Sequence, residues 1–282
     1  MEMEHVRWSQ EPNLRRPVVL VAFEGWNDAG DAASSAIRFL SDRWRARPFA
    51  DIDAEPFYDF TQARPLVRLD DSQQREIVWP RNRFSGATVP GLEGDVILLD
   101  GTEPALLWRT FCDQVVGIVR RFDAQLLITL GALISDVPHN RPVQIYGVGY
   151  DTDAVSKLGV EQSTYEGPTG IVGVLHDRCR REGIASASLW AAVPSYAHSA
   201  PSPKAALALV EKAADILKVN IPVTDLEIAA AAYERQINKL VASDDETADL
   251  VRQLEQRYDE MDESGALVEE VEKFLRDTAP DE

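Results

Sequence analysis

At 282 residues, 45% of them apolar and 27% charged, the chain holds material for one large domain or one domain with an appendage, and is not disordered throughout. Its formal net charge of −18 sets up a field that repels nucleic acid and anionic lipid, so neither is an expected partner. Its longest apolar runs, such as residues 18–23 and 96–99, are too short to span a bilayer, and the acidic opening Met1-Glu2-Met3-Glu4-His5 lacks the basic-then-apolar order of a signal peptide; a cytoplasmic location is expected.

In chain order, Val18-Val19-Leu20-Val21-Ala22-Phe23 reads as a strand buried on both faces, because both alternating positions are apolar. After a glycine-containing turn, Asp28 is placed to cap a helix carrying Ala32, Ala33, Ala36, Ile37 and Leu40 at helical spacing. Residues 49–95 are less regular. Their Arg/Pro-rich pieces, including Trp79-Pro80-Arg81-Asn82-Arg83, predict edge strands or an excursion from the sheet, with that cluster serving packing and local ion pairs. Residues 96–99 predict a second buried strand and residues 100–103 a polar turn. Pro104 then suits the first turn of a helix carrying Leu106, Leu107, Phe111, Val115 and Ile118. Residues 126–130, 142–149 and 185–193 predict further strands, and residues 169–181 a helix stopped by Gly183. Buried strands alternating with helices make an α/β fold with a mostly parallel sheet and helices on both faces. Cys112 and Cys179 each fall inside a helical pattern and are expected as buried free thiols.

From Pro222 the pattern changes. Thr224-Asp225-Leu226-Glu227 and Ser243-Asp244-Asp245-Glu246 both fit the capping box. They open helices with stripes of Leu226, Ala230, Tyr233, Ile237 and Leu240, then of Leu250, Val251, Leu254, Tyr258 and Met261. A last segment repeats the spacing with Leu267, Val268, Val271, Phe274 and Leu275. Residues 1–221 are thus expected as the α/β domain and residues 222–282 as a helical extension. Residues 243–282 hold 15 Asp/Glu against 4 Arg/Lys, a solvated acidic surface or a docking tail.

Ligands of open parallel sheets bind beyond the carboxyl ends of the strands. Four polar turns occupy such places: residues 24–31, 100–103, 135–141 and 195–202. They offer Glu24, Asn27, Asp28, Glu103, Asp136, His139, Ser195 and His198 for a pocket or partner surface, although the fold alone would also put polar loops there. Glu166-Gly167-Pro168-Thr169-Gly170 precedes a helix, so Glu166 and Thr169 mark either an anion seat at the helix start or a tight turn and cap. No Gly-x-Ser-x-Gly elbow supports Ser195 and His198 as a hydrolytic pair. His5, His139, His176 and His198 are scattered, so no metal is expected. Nucleotide loops are missing and Gly147-Val148-Gly149 lacks its third glycine, so no cofactor is expected.

Several segments together resemble the proteasome assembly chaperone 2 (PAC2) family, in its actinobacterial branch. They are Glu24-Gly25-Trp26-Asn27-Asp28-Ala29-Gly30-Asp31-Ala32-Ala33, Leu130-Gly131-Ala132-Leu133 through Asp136-Val137-Pro138-His139, Tyr165-Glu166-Gly167-Pro168-Thr169-Gly170-Ile171, Leu189-Trp190-Ala191-Ala192-Val193-Pro194-Ser195-Tyr196 and Pro203-Lys204-Ala205. The resemblance covers about residues 17–240. It implies a three-layer α/β/α domain, similar to the nucleoside phosphorylase/hydrolase-like architecture, with a C-terminal helical extension. It also implies a homo-oligomer, a trimer among bacterial relatives, and a proteasome-related protein partner. The family supplies no catalytic residues to carry over. Some archaeal relatives dock through a terminal hydrophobic-Tyr-any residue motif, which Thr278-Ala279-Pro280-Asp281-Glu282 does not match. A protein-binding, chaperone-like role is therefore expected, with no enzyme activity. The alternative is an enzyme of hydrolase or phosphorylase type acting on a small anionic or nucleoside-like substrate. In it Glu24, Asp28 or Glu166 serves as acid or base and the helix start after Gly167 holds the anion.

Overall fold

Strands with apolar residues at both alternating positions belong where a sheet is covered on both sides, and the computed structural model puts four of them there. It describes residues 3–149, 158, 161–162 and 166–260. The strands are β1 (Val6–Trp8), β2 (Val18–Glu24), β3 (Arg47–Ile52), β4 (Leu66–Leu69), β5 (Arg75–Val78), β6 (Asn82–Thr88), β7 (Asp95–Thr102), β8 (Leu126–Ser135), β9 (Ile145–Gly149), β10 (Glu161–Gln162) and β11 (Ser186–Pro194). The helices are α1 (Ala32–Arg43), α2 (Trp108–Arg121), α3 (Ile171–Arg181), α4 (Pro203–Leu217), α5 (Thr224–Val241) and α6 (Asp245–Glu260).

Nine strands form one sheet in the order β1-β3-β6-β7-β2-β8-β11-β9-β10. The central four, β7, β2, β8 and β11, run parallel, as expected. Antiparallel β3 and β6 extend one side and β9 pairs antiparallel with β11 on the other. Val19, Val21 and Phe23 join the apolar cluster beneath α2 and α3. Leu20 and Ala22 join the opposite one, beneath α1 and α4. This two-sided burial explains the unbroken apolar run, each large side chain contributing about 1.5–3 kcal/mol. The result is the expected α/β/α layering. Cys112 and Cys179 are buried and form no disulfide, as expected. Among the described residues no helix is long and apolar enough to cross a membrane.

Four local expectations change. Helix α2 begins at Trp108, not at Pro104. The amides of Ala105 and Leu106 donate to the Phe57 carbonyl (2.9 and 3.0 Å), and the Trp108 indole donates to Pro104 O (2.6 Å), so residues 104–107 form a clipped loop. Leu106 and Leu107 are consequently exposed. No capping box forms at Thr224, which is already the first residue of α5. At α6 the capping acceptor is Asp244, one residue after the predicted Ser243: its carboxylate accepts from the Thr247 amide at 3.0 Å, while Ser243 Oγ donates to Leu240 O at 2.7 Å. Finally, α5 buries Ala230, Tyr233 and Ile237 but leaves Leu240 exposed. The predicted segment with Leu267 to Leu275 lies outside the described residues.

Residues 49–95 behave as an excursion. Strands β3 and β6 enter the sheet, whereas β4 and β5 make a two-stranded sheet of their own, with Leu66 opposite Val78 and Arg68 opposite Glu76.

Candidate functional site

The polar turns beyond the carboxyl ends of the strands do approach one another, but they close on each other in two separate knots. The first is built around Glu103, just past β7. Its amide donates to Glu24 O (2.9 Å), which ties it to the end of β2. Its Oε1 accepts from Asn27 Nδ2 and from the Ile171 amide, both at 3.2 Å. The Trp26 amide is a further donor; burial raises the carboxyl pKa while the Ile171, Trp26 and Asn27 bonds oppose that rise. Gly25, at φ +125°, and Gly170 allow the close approach: a Cβ on Gly25 would stand 3.3 Å from Glu103 Cβ, and one on Gly170 3.1 Å from the Trp26 ring. The start of α3, where an external anion was one expectation, is thus occupied by the protein's own carboxylate.

Asp28 caps α1 as expected, across an intervening turn of 3-10 helix. Its Oδ1 accepts from the amides of Ala33 (2.6 Å) and Ser34 (3.3 Å). Burial, the dominant cause, pushes its pKa up to about 6 against those hydrogen bonds. The carboxylate therefore points into a helix start, not into a pocket.

The second knot joins the turns after β8 and β11 to α5 and α6. Tyr196 Oη accepts from the His139 amide (2.8 Å) and lies 2.7 Å from His139 Nδ1. His139 Nε2 is 3.1 Å from Asn238 Oδ1 on α5, which assigns the proton to Nε2 and leaves Nδ1 to accept from Tyr196. Lys204 Nζ donates to His139 O and to Glu234, both at 2.6 Å. Burial lowers the His139 pKa. Asp136 accepts from Ser195 Oγ (2.9 Å), whereas His198 Nδ1 faces the Ser195 backbone carbonyl (2.6 Å). The serine hydroxyl and that imidazole do not form a catalytic pair.

Glu166 and Thr169 lie exposed on the turn before α3. Thr169 Oγ1 covers Gly173, where an added Cβ would come within 2.0 Å of it. Of the predicted residues, the structure joins Glu24, Asn27 and Glu103. Asp28 sits on the far side of the same turn, and Asp136 and His139 belong to the second knot. Among the described residues no group of three His, Cys, Asp or Glu side chains is arranged to hold a metal ion.

A cleft of about 510 Å³ opens beside the first knot. Its floor is Glu24 and residues 100–102 at the ends of β2 and β7, and the β4–β5 hairpin forms its roof. Arg38 pairs with Glu24 and with Asp100 (3.4 Å), inside a lining that also contains Arg64, Arg68 and Arg81. Burial raises the Asp100 pKa and Arg38 opposes it. Trp79 is held edge-on by Phe60 at 4.8 Å between ring centroids. Its neighbour Arg83 makes the local ion pair expected there, with Asp51 at 3.0 Å. Sequence reading found Glu24 but not the arginines. The signal available was two short Arg/Pro pieces within residues 49–95, Arg64-Pro65 with Arg68, and Pro80-Arg81.

The PAC2 family model matches residues 22–241. A crystal structure of a PAC2 family protein from Streptomyces avermitilis is 44% identical at a TM-score of 0.78, the match covering 83% of this chain and 99% of that one. A Mycobacterium tuberculosis structure, described as a proteasome-assembly chaperone homologue, is 43% identical at a TM-score of 0.75 over the same 83% and 99%. Pyrococcus furiosus PbaB, described as an archaeal proteasome activator, shares the fold at 19% identity and a TM-score of 0.65, covering 83% of this chain and 97% of that one. No curated protein matches the chain.

Proposed function

The chain belongs to the PAC2 family, and on that footing we propose that it is a partner-binding, chaperone-like factor related to proteasome assembly. The observation that carries the reading is the β4–β5 hairpin in this family framework. Val67, Leu69 and Ile77 stand out from it at 58%, 58% and 47% exposure. An apolar hairpin left in water favours contact with another protein. The description of the Mycobacterium tuberculosis relative supports a proteasome component as that protein. Such a factor works stoichiometrically, covering an apolar surface of its partner and later releasing it. Glu24 at the cleft floor is the predicted site residue best placed to touch a partner. The protein acts in the cytoplasm as a homo-oligomer, a trimer, with residues 222–282 as an acidic extension of the α/β domain. The enzyme reading loses its anion seat to Glu103.

The test mixes purified full-length protein with purified proteasome subunits and follows their assembly by native mass measurement. The expected result is a complex of this protein with subunits or half-assembled particles, absent from finished proteasomes. Finding neither a complex nor a change in assembly rate would overturn the reading.

A further inference from the structure

We propose that the cleft beneath the β4–β5 hairpin is a docking groove for an acidic, aliphatic peptide segment of the partner protein. The proposal rests on the partner-binding reading and specifies the surface and the chemistry it selects.

Charge points there first. The chain has 47 acidic residues against 29 basic ones, yet four arginines meet in this cleft with only two carboxylates. Arg38 contacts both of those, Glu24 and Asp100, and Arg81 adds to the field at Asp100, so the four arginines leave the lining with two positive charges in excess. Arg64, Arg68 and Arg81 make no ion pair among the described residues. Even Glu76, opposite Arg68 in the hairpin ladder, does not pair with it. A concave wall of unpaired guanidinium groups concentrates field lines and binds carboxylates through paired N–H donors.

Apolar contact and shape narrow the class. Leu66 and Val78 line the cleft from the hairpin and Trp79 closes one side, its ring fixed by Phe60. A ligand must therefore bring aliphatic groups as well as negative charge. Beta strands β4 and β5 pair only with each other among the described residues, so their outer edges present backbone donors and acceptors to an extended chain. The volume of about 510 Å³ suits a few side chains. A long polyanion is disfavoured because the net charge of −18 acts on every phosphate, whereas a short peptide feels mainly the local arginines.

The test titrates full-length protein into a short fluorescein-labelled peptide of alternating glutamate and leucine and reads anisotropy. Saturable binding that weakens with salt is expected. Arg68→Ala and Arg81→Ala should each lower affinity about tenfold, the scale of one lost charge-assisted hydrogen bond. Both side chains are exposed, so the variants should keep the parent's circular dichroism spectrum. A lysine–leucine peptide should not bind. The groove is overturned by no saturable binding up to about 1 mM, by equal binding of the two peptides, by unchanged affinity in both variants, or by inorganic phosphate competing as tightly as the peptide. Peptide binding without any proteasome complex sustains the groove and sinks the proteasome reading. A proteasome complex untouched by both arginine variants does the reverse.

Discussion

Replacing Glu103 with alanine removes the shared acceptor of the Ile171 amide and the Asn27 side chain. With those donors left buried, the expected loss is about 1–3 kcal/mol of folding stability, read as a lower urea midpoint; Glu103→Gln keeps an acceptor and should cost less than half as much. Asp28 gives a pH signature. Its folded pKa of about 6 lies above the ordinary 3.8, so between those values the native state keeps a proton that the unfolded chain has released. The favourable contribution is complete below pH 3.8 and is lost as pH rises through 6, on the order of 3 kcal/mol in all. Asp28→Asn, which retains a capping oxygen, should therefore gain on the parent by a few kcal/mol between about pH 4 and pH 7 in paired denaturation series. Both carboxylates were visible in the sequence as members of a polar turn. Their task was only half legible: Asp28 sits at a helix start in the sequence itself, whereas Glu103 meets α3 from 68 residues away.

At the scale of elements, α5 and α6 are held by polar clips as much as by apolar stripes. His139 and Lys204 fasten α5, and Arg141 reaches Asp259 on α6 through two bonds of 2.8 and 2.9 Å. Tyr258 adds a bond to Pro142 O at 3.1 Å. His139→Ala should raise amide exchange across residues 224–260 about tenfold and leave β2 and β7 unchanged, as followed by mass spectrometry. Acid should act in the same direction. The folded His139 pKa is lowered below 6.5, so its contribution is present above that value and is lost as pH falls beneath it. The strands β2, β7 and β8 were legible because burial on two faces leaves an unbroken apolar run. The start of α2 was not, since Pro104 and two leucines look helical until the distant Phe57 carbonyl takes their amides. The cleft was illegible for a related reason. Arg38 comes from α1, Arg64 and Arg68 from the entry to the hairpin and Arg81 from its exit, and each alone reads as a solvated surface charge until the hairpin meets the sheet.

For the whole molecule, the proposed oligomer and the acidic extension separate in one measurement. If residues 243–282 build subunit contacts, deleting them should convert the assembly to single chains in multi-angle light scattering; an unchanged mass assigns those contacts to the α/β domain. The strand order carries a consequence for how the chain comes into being. Val18 in β2 pairs with Val96 in β7 and with Leu126 in β8, so its neighbours lie 78 and 108 positions further along. At ordinary ribosomal speed the second neighbour is made roughly 5 to 20 s after β2 itself. Until β7 is made this strongly apolar strand has neither flanking neighbour, it lacks the second until β8 follows, and distant pairings of this kind also form slowly once available. A member of a family named for assisting assembly thus begins life with its own central strand waiting for cover.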